Sequence, residues 1–323
     1  MAGTVVISLD AELSWGFHDQ PTMPADRVAN PRAAWAFLLR LFDEYDIPAT
    51  WAVVGHLCLA SCDGEHADHP AGTDWFARDP GGHATPRSAW FAPELVETIS
   101  NRAVDHEIGL HAFSHVEFGA AETSRAVADA ELRQGLAAAA AIDTDPSSFV
   151  FPRNNVGHRD RLAAHGLTCY RGRQPRRWYD LPPLPAVDTA GKLATFAFGL
   201  SGPPIVEPAV DEHGLVNIPA SLFLFSFGGR PRDMIATLGG DPVVRQVERG
   251  LAALRTRPDG VLHLWLHPNN ITTQQDRIRM SEIASLIADY REEYGIGVET
   301  MGAVADRVSQ DVNLTSLSLL DID

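Results

Sequence analysis

Basic residues are scarce in this chain of 323 residues: 26 stand against 42 acidic ones, for a formal charge of -16, and Lys192 is the only lysine. A surface so poor in cations carries no electrostatic footprint for a phosphate backbone or an anionic lipid layer, which argues against nucleic acid and membrane as partners. Long apolar runs are missing too. No segment reaches the roughly 18 to 20 uninterrupted apolar residues that a spanning helix needs. The opening MAGTVVISLDAELSW has no basic flank and is interrupted at Asp10, so it reads as a core strand and not as a secretion signal. Cysteine is limited to Cys58, Cys62 and Cys169, an odd number without C-x-x-C spacing, which excludes a disulfide framework. Together these absences lead to an expectation of a cytoplasmic protein.

What is present is a core and a rhythm. A hydrophobic content of 45% in a chain of this length can bury a substantial interior. Thr4 to Leu9 (TVVISL) is a β-branched run with a polar stop at Asp10. Asn30 and Pro31 offer an N-cap and a first-turn proline for an amphipathic helix to about Tyr45. ATWAVVG then reads as a strand, and the alternation continues. Helices are expected at about 93–102, 121–141, 159–164, 243–255 and 278–293. Strands are expected near 107–110, 148–151, 167–170, 216–221 and 261–266, with a last one at IGVE. Seven or so parallel strands alternating with helices predict an α/β fold, either a (β/α) barrel or a doubly wound sheet. The span 1–310 reads as one domain, with a Pro-rich aperiodic excursion at about 172–214 and a tail at 311–323.

Both architectures gather function at the carboxyl ends of their strands. There the first strand delivers Asp10 and Glu12, HEIGLHAFSH delivers His111 and His115, SFVFPRNN delivers Arg153 and Asn154, and VLHLWLHPNN delivers His267. Carboxylates, imidazoles and a guanidinium at one end of four strands are more than a random surface would assemble. His111 and His115 lie four apart, so a helical turn would put both rings on one face, close enough to share an ion. Zinc and related ions accept neutral imidazole nitrogen and carboxylate oxygen, and a catalytic site keeps a position open for water. A rival cluster, CDGEHADH from Cys62 to His69, reads as a solvated loop, because Gly64 and Pro70 bracket it without a rigid element to preorganise ligands.

The set of segments resembles the polysaccharide deacetylases of the NodB-homology type, carbohydrate esterase family 4. ISLDAELSWG is similar to their first motif in its D-x-E form, PATWAVVG to the strand that follows, and HEIGLHAFSH to the metal motif. SFVFPRNNVG resembles the arginine motif and LHLWLHPNN the last histidine motif, all in family order. ELSWG, SFVFPRN, NIPAS and HLWLHP look most like the branch associated with cell-surface polysaccharide biosynthesis. The resemblance implies a distorted (β/α) barrel of about seven strands in which Glu12, His111 and His115 bind a divalent ion. Zinc is the first choice for that ion, with cobalt, manganese or nickel as alternatives. It further implies that Asp10 is the general base, that Arg153 orients Asp10, and that His267 is the general acid. The chain departs from the common arginine motif, since Pro152 precedes Arg153 and Asn154 with Asn155 follow, and no Asp motif supports His267. The expected activity is deacylation of a sugar or polysaccharide precursor. A hydrolase of a small non-peptide amide or imide and a non-catalytic carbohydrate-binding protein are the alternatives.

Overall fold

A computed structural model describes residues 2–85, 88–180 and 185–320. Its framework is a curled parallel sheet. The strands that matter for the site are β1 (Thr4–Ala11), β2 (Thr50–Val53), β3 (Glu107–Leu110), β4 (Ser148–Val150), β5 (Cys169–Gly172), β6 (Val216–Pro219), β7 (Leu222–Phe223), β8 (Val261–Leu266) and β9 (Gly297–Glu299). Pairing runs β8, β1, β2, β3, β4, β5, β6, all parallel, with β9 beside the first half of β1. Only two residues separate β6 from β7, and β7 pairs with β8. The stretch 216–223 therefore bonds to β5 with its first half and to β8 with its second, which carries the sheet round into the distorted (β/α) barrel that the resemblance implies.

The side-chain period of two explains the layers. Val5, Ile7 and Leu9 of β1, with Leu262, Leu264 and Leu266 of β8, face outward into the main core beneath the helices. These include α1 (Pro31–Glu44), α2 (Pro93–Ser100), α3 (Arg125–Ala140), α4 (Pro242–Leu254) and α5 (Gln274–Tyr294). The residues between them point into the barrel. At its base Val6, Ala52, Val150, Cys169, Val216, Ile218 and Val261 form an apolar layer against Met301, Val304 and Ala305 of the last helix, Met301–Leu320. One step up the same strands turn polar, with Ser8, Arg171 and His263 all fully buried. The next step up is Asp10.

Several sequence expectations are refined. Asn30 holds the N-cap position of α1 with Pro31 inside, but its side chain makes no capping bond. The excursion at 172–214 contains a helix at Pro185–Phe198, where the Pro-rich sequence predicts none. The segment Cys62–His69 is exposed at Asp63, Glu65, Ala67 and Asp68, as a solvated loop would be, but it turns His69 inward, only 3% exposed, and half-buries Cys62 and His66. Among the described residues no helix is long and apolar enough to cross a membrane.

Candidate metal centre and its proton-handling residues

Glu12, His111 and His115 come together at the carboxyl ends of β1 and β3, with their ligand atoms all within 4.8 Å of one another. Glu12 Oε2 lies 3.1 Å from His115 Nε2 and 3.6 Å from His111 Nε2, and all three side chains are buried. The two histidines are not on a helix, as their spacing suggests. His111 ends β3, and the chain then folds back through Ala112 (φ 59°) and His115 (φ 67°). Leu13, just after Glu12, is left-handed too (φ 45°). Such conformations cost a non-glycine residue about 1–3 kcal/mol and persist where the surroundings impose them. Here that support comes from Glu131 of α3, whose carboxylate accepts the Phe113 and Ser114 amides at 2.8 Å and the Ser114 hydroxyl at 2.5 Å. Its burial raises the Glu131 carboxyl to about 7.

The donor set fits a cation. His111 Nδ1 donates to the Val150 carbonyl at 2.7 Å, so Nε2 carries the lone pair. That Nε2 is buried without a hydrogen-bond partner and faces a carboxylate oxygen, an arrangement of two acceptors that needs positive charge between them. Burial would raise the Glu12 carboxyl, but the imidazoles of His267, His111 and His115 around it hold it well below the ordinary carboxylate value. His115 is lowered by burial, which favours the neutral, ligating imidazole. With Asp10 and Glu12 ionised and Arg171, among the described residues, the only buried cation facing them, the pocket carries excess negative charge that a divalent ion would offset.

Asp10 is held by Arg171, not by Arg153. The Arg171 guanidinium is bidentate on Asp10, with Nη1 to Oδ1 at 2.6 Å and Nη2 to Oδ2 at 2.7 Å, and both side chains are buried. Burial pushes the Asp10 carboxyl up, but the Arg171 guanidinium, with the imidazoles of His267 and His111 nearby, keeps the group below its ordinary value. Arg153 instead reaches Asp19 at 2.6 Å and Glu117 at 3.2 Å, and is 38% exposed. The reason is geometric. Pro152 starts a short turn in which Arg153 and Asn154 are both left-handed (φ 53° and 52°), which carries Arg153 away from Asp10 to the border of the cavity and turns Asn154 toward Arg171. Asn154 Oδ1 then accepts from Arg171 Nε and Nη2 at 3.2 and 3.0 Å.

Arg171 is anchored from below by a one-way chain of donors. Its Nη1 donates to Ser8 Oγ at 3.0 Å, Ser8 donates to His263 Nε2 at 2.8 Å, and His263 Nδ1 donates to the Ile218 carbonyl at 3.1 Å. This requires a neutral His263, and burial lowers that imidazole to about 3. The Trp265 ring stacks under the guanidinium at 4.4 Å. A basic residue in the otherwise apolar run LTCYRG was the available signal, but the sequence pattern ends that strand at Tyr170, one residue short.

His267 leaves β8 with Nε2 3.6 Å from Asp10 Oδ2 and 3.9 Å from Glu12 Oε1. Its Nδ1 donates to Asn270 Oδ1 at 3.1 Å, which supplies the orienting partner that the sequence does not identify. The open side of the site is a cavity of about 250 Å³ bordered by Glu12, His115 and His267, with Phe17, Phe223 and Phe225 as apolar wall.

Residues 17–169 match the family model described as polysaccharide deacetylase, a span that begins after Asp10 and Glu12 and ends before Arg171. A Mycobacterium smegmatis protein assigned as a polysaccharide deacetylase superposes with a TM-score of 0.59 at 17% identity, over 96% of this chain and 91% of its own. A Pseudomonas aeruginosa PAO1 protein with the same assignment gives 0.55 at 13% identity over 94% and 89%. Puue allantoinase gives 0.55 at 12% identity, also over 94% and 89%. At these identities the likeness establishes the fold. Curated protein sequences contain no match.

Proposed function

We propose that this chain, whose residues 17–169 match the polysaccharide deacetylase family model, is a member of that family and a metal-dependent hydrolase that removes an N-acetyl or related acyl group from a sugar or polysaccharide precursor. The observation that carries this reading is the convergence, on one pocket, of the Glu12–His111–His115 triad with an Arg-clamped carboxylate and a third imidazole. Glu12, His111 and His115 would hold the ion, and imidazole with carboxylate suits zinc first. A bound divalent ion supplies Lewis-acid polarisation of the acyl oxygen and acidifies water.

The chain's own residues handle the protons. Asp10, ionised and fixed by two hydrogen bonds from Arg171, is the base that accepts a proton from attacking water, a role worth about 10² to 10⁴ in rate. His267 has Nδ1 committed to Asn270, so its Nε2 is the atom that delivers a proton to the departing amine. Arg171 cannot serve as acid; it keeps Asp10 charged and aimed.

A small amide or imide is the second reading, and the observation that favours it is the size of the cavity. About 250 Å³ lies below the roughly 300–1,000 Å³ typical of drug-sized ligand sites, so the pocket holds one sugar ring or one small amide. Metal analysis followed by an acetate-release screen across N-acetylated monosaccharides, sugar nucleotides and oligosaccharides tests the assignment. His115→Ala is expected to lose the ion, and Asp10→Asn to keep it while turnover drops at least 100-fold. Full activity in Asp10→Asn, or hydrolysis of small cyclic amides without any acetate release from sugars, would overturn the first reading.

A further inference from the structure

A second cluster of metal-ligating atoms lies away from the candidate centre. It is built from the 3-10 turn Gly55–Cys58, which follows β2, and from the long connection that precedes α2. Three atoms converge on Asp79 Oδ2: His66 Nε2 at 2.8 Å, Cys62 Sγ at 3.3 Å and His56 Nε2 at 2.8 Å. The side chains of His56 and Asp79 are fully buried and that of His66 is 11% exposed.

We infer that His56, Cys62, His66 and Asp79 form a structural zinc site. The decisive residue is His56. Its Nδ1 donates to the Trp90 carbonyl at 3.1 Å, which leaves Nε2 with the lone pair. That lone pair sits 2.8 Å from a carboxylate oxygen, yet the two are not aligned as a hydrogen bond, and Nε2 is buried without a partner. Two acceptors thus stand in contact with no hydrogen bond between them, a juxtaposition that a cation among the four groups would offset. The four ligand atoms all lie within 4.8 Å of one another. A tetrahedral ion with bonds of about 2.0–2.3 Å separates its ligands by about 3.3–3.8 Å, so the cluster needs to open by less than about 1 Å to accept one. One sulfur, two imidazole nitrogens and one carboxylate oxygen match the preference of zinc, and four protein ligands close its coordination shell, as structural sites do.

The support that CDGEHADH lacks as a sequence is supplied by the fold. Ser61–Cys62 pairs antiparallel with Gly82–His83, which ties the segment carrying Cys62 to the chain just beyond Asp79. Asp63 Oδ1 accepts the Glu65 and His66 amides at 3.0 Å and shapes the turn that presents His66. Asp79 Oδ1 accepts the Gly81 amide at 3.0 Å, so its other oxygen is free to face the cluster. The site also braces the candidate centre. The His56 ring packs 4.5 Å from Trp15, three residues after Glu12, and Trp75 in the same connection donates to Ser114 Oγ at 2.9 Å, next to His115.

Cobalt distinguishes the two sites, because only the second contains sulfur. Protein stripped of metal and reloaded with Co²⁺ alone is expected to hold two ions per chain and to show a near-ultraviolet thiolate-to-cobalt charge-transfer band. His111→Ala should lose one ion and keep the band; Cys62→Ser should lose the band and bind one ion fewer. A reloaded wild-type protein without the band, or an ion count unchanged in Cys62→Ser, would overturn the inference and leave a hydrogen-bonded cluster without metal. The wild-type spectrum needs no variant to fold, and loss of the His111 ion bears only on the proposed hydrolase.

Discussion

Arg171 and Arg153 carry opposite expectations at the scale of single residues. Replacing Arg171 with Met strands the buried Asp10 carboxylate, and breaking such a pair costs about 3–5 kcal/mol. Turnover should fall with it, and the urea midpoint should drop. Arg153→Ala removes a partly exposed side chain paired with Asp19 and Glu117, so stability should change by less than about 1 kcal/mol and Asp10 should keep its orientation. Equal loss of stability in both variants would refute the assignment of Arg171 as the clamp. Gly16 is a second sensitive residue. A Cβ there would stand 2.1 Å from Glu12 Oε1, inside the van der Waals boundary of a candidate ligand. Gly16→Ala is therefore expected to weaken metal retention without unfolding the barrel, measured as ions per chain after gel filtration.

Among the elements, α3 decides how the histidine loop is held. Its Glu131 collects two amides and a hydroxyl from 113–114, and it approaches the turn after β2 so closely that a Cβ on Gly55 would lie 2.6 Å from Gly135 Cα. Backbone meets backbone at this point, so no side-chain rotation relieves the overlap. Gly55→Ala should cost about 1–3 kcal/mol, read as a lower urea midpoint. The helices packed on the sheet were legible from their apolar stripes, but the starts of α3 at Arg125 and α5 at Gln274 lie four residues from those expected, and the helices Pro185–Phe198 and Gly229–Gly239 were not read. Ser124 and Asp241 cap α3 and α4, and Thr273 with Asp276 forms a capping box at α5. The connection between β2 and α2 was not legible. Its burial depends on Asp79 meeting His56 across 23 residues of sequence, and no periodicity records such a meeting.

For the whole molecule, buried neutral histidines set the response to acid. His18, His69, His106 and His263 are lowered to about 4, 4, 4 and 3, in each case chiefly by burial. Between those values and the ordinary value of about 6.5, the unfolded chain binds protons that the folded chain does not. Stability from these groups is thus present above about pH 6.5 and lost as pH falls toward 4. Glu131 acts in the opposite sense, since its raised carboxyl binds a proton more tightly when folded and weakens the fold as pH rises from about 4.5 to 7. Four groups against one predict a net fall, so the urea midpoint should be lower at pH 5 than at pH 7. A flat or rising midpoint on acidification would contradict the burial of these rings.

The strand and helix alternation and the strand ends that carry Asp10, Glu12, His111, His115 and His267 were readable from the chain, while the alternation alone left a barrel and a doubly wound sheet both open. Each depends on local periodicity and on the rule that parallel strands end where function gathers. Tertiary structure decided which arginine faces Asp10, because one left-handed turn at 153–154 carries the Arg153 guanidinium away from Asp10 and turns the Asn154 amide toward Arg171. It also decided that a loop with no evident framework encloses four ligating groups, since distances between residues remote in sequence are set by packing and leave no pattern along the chain.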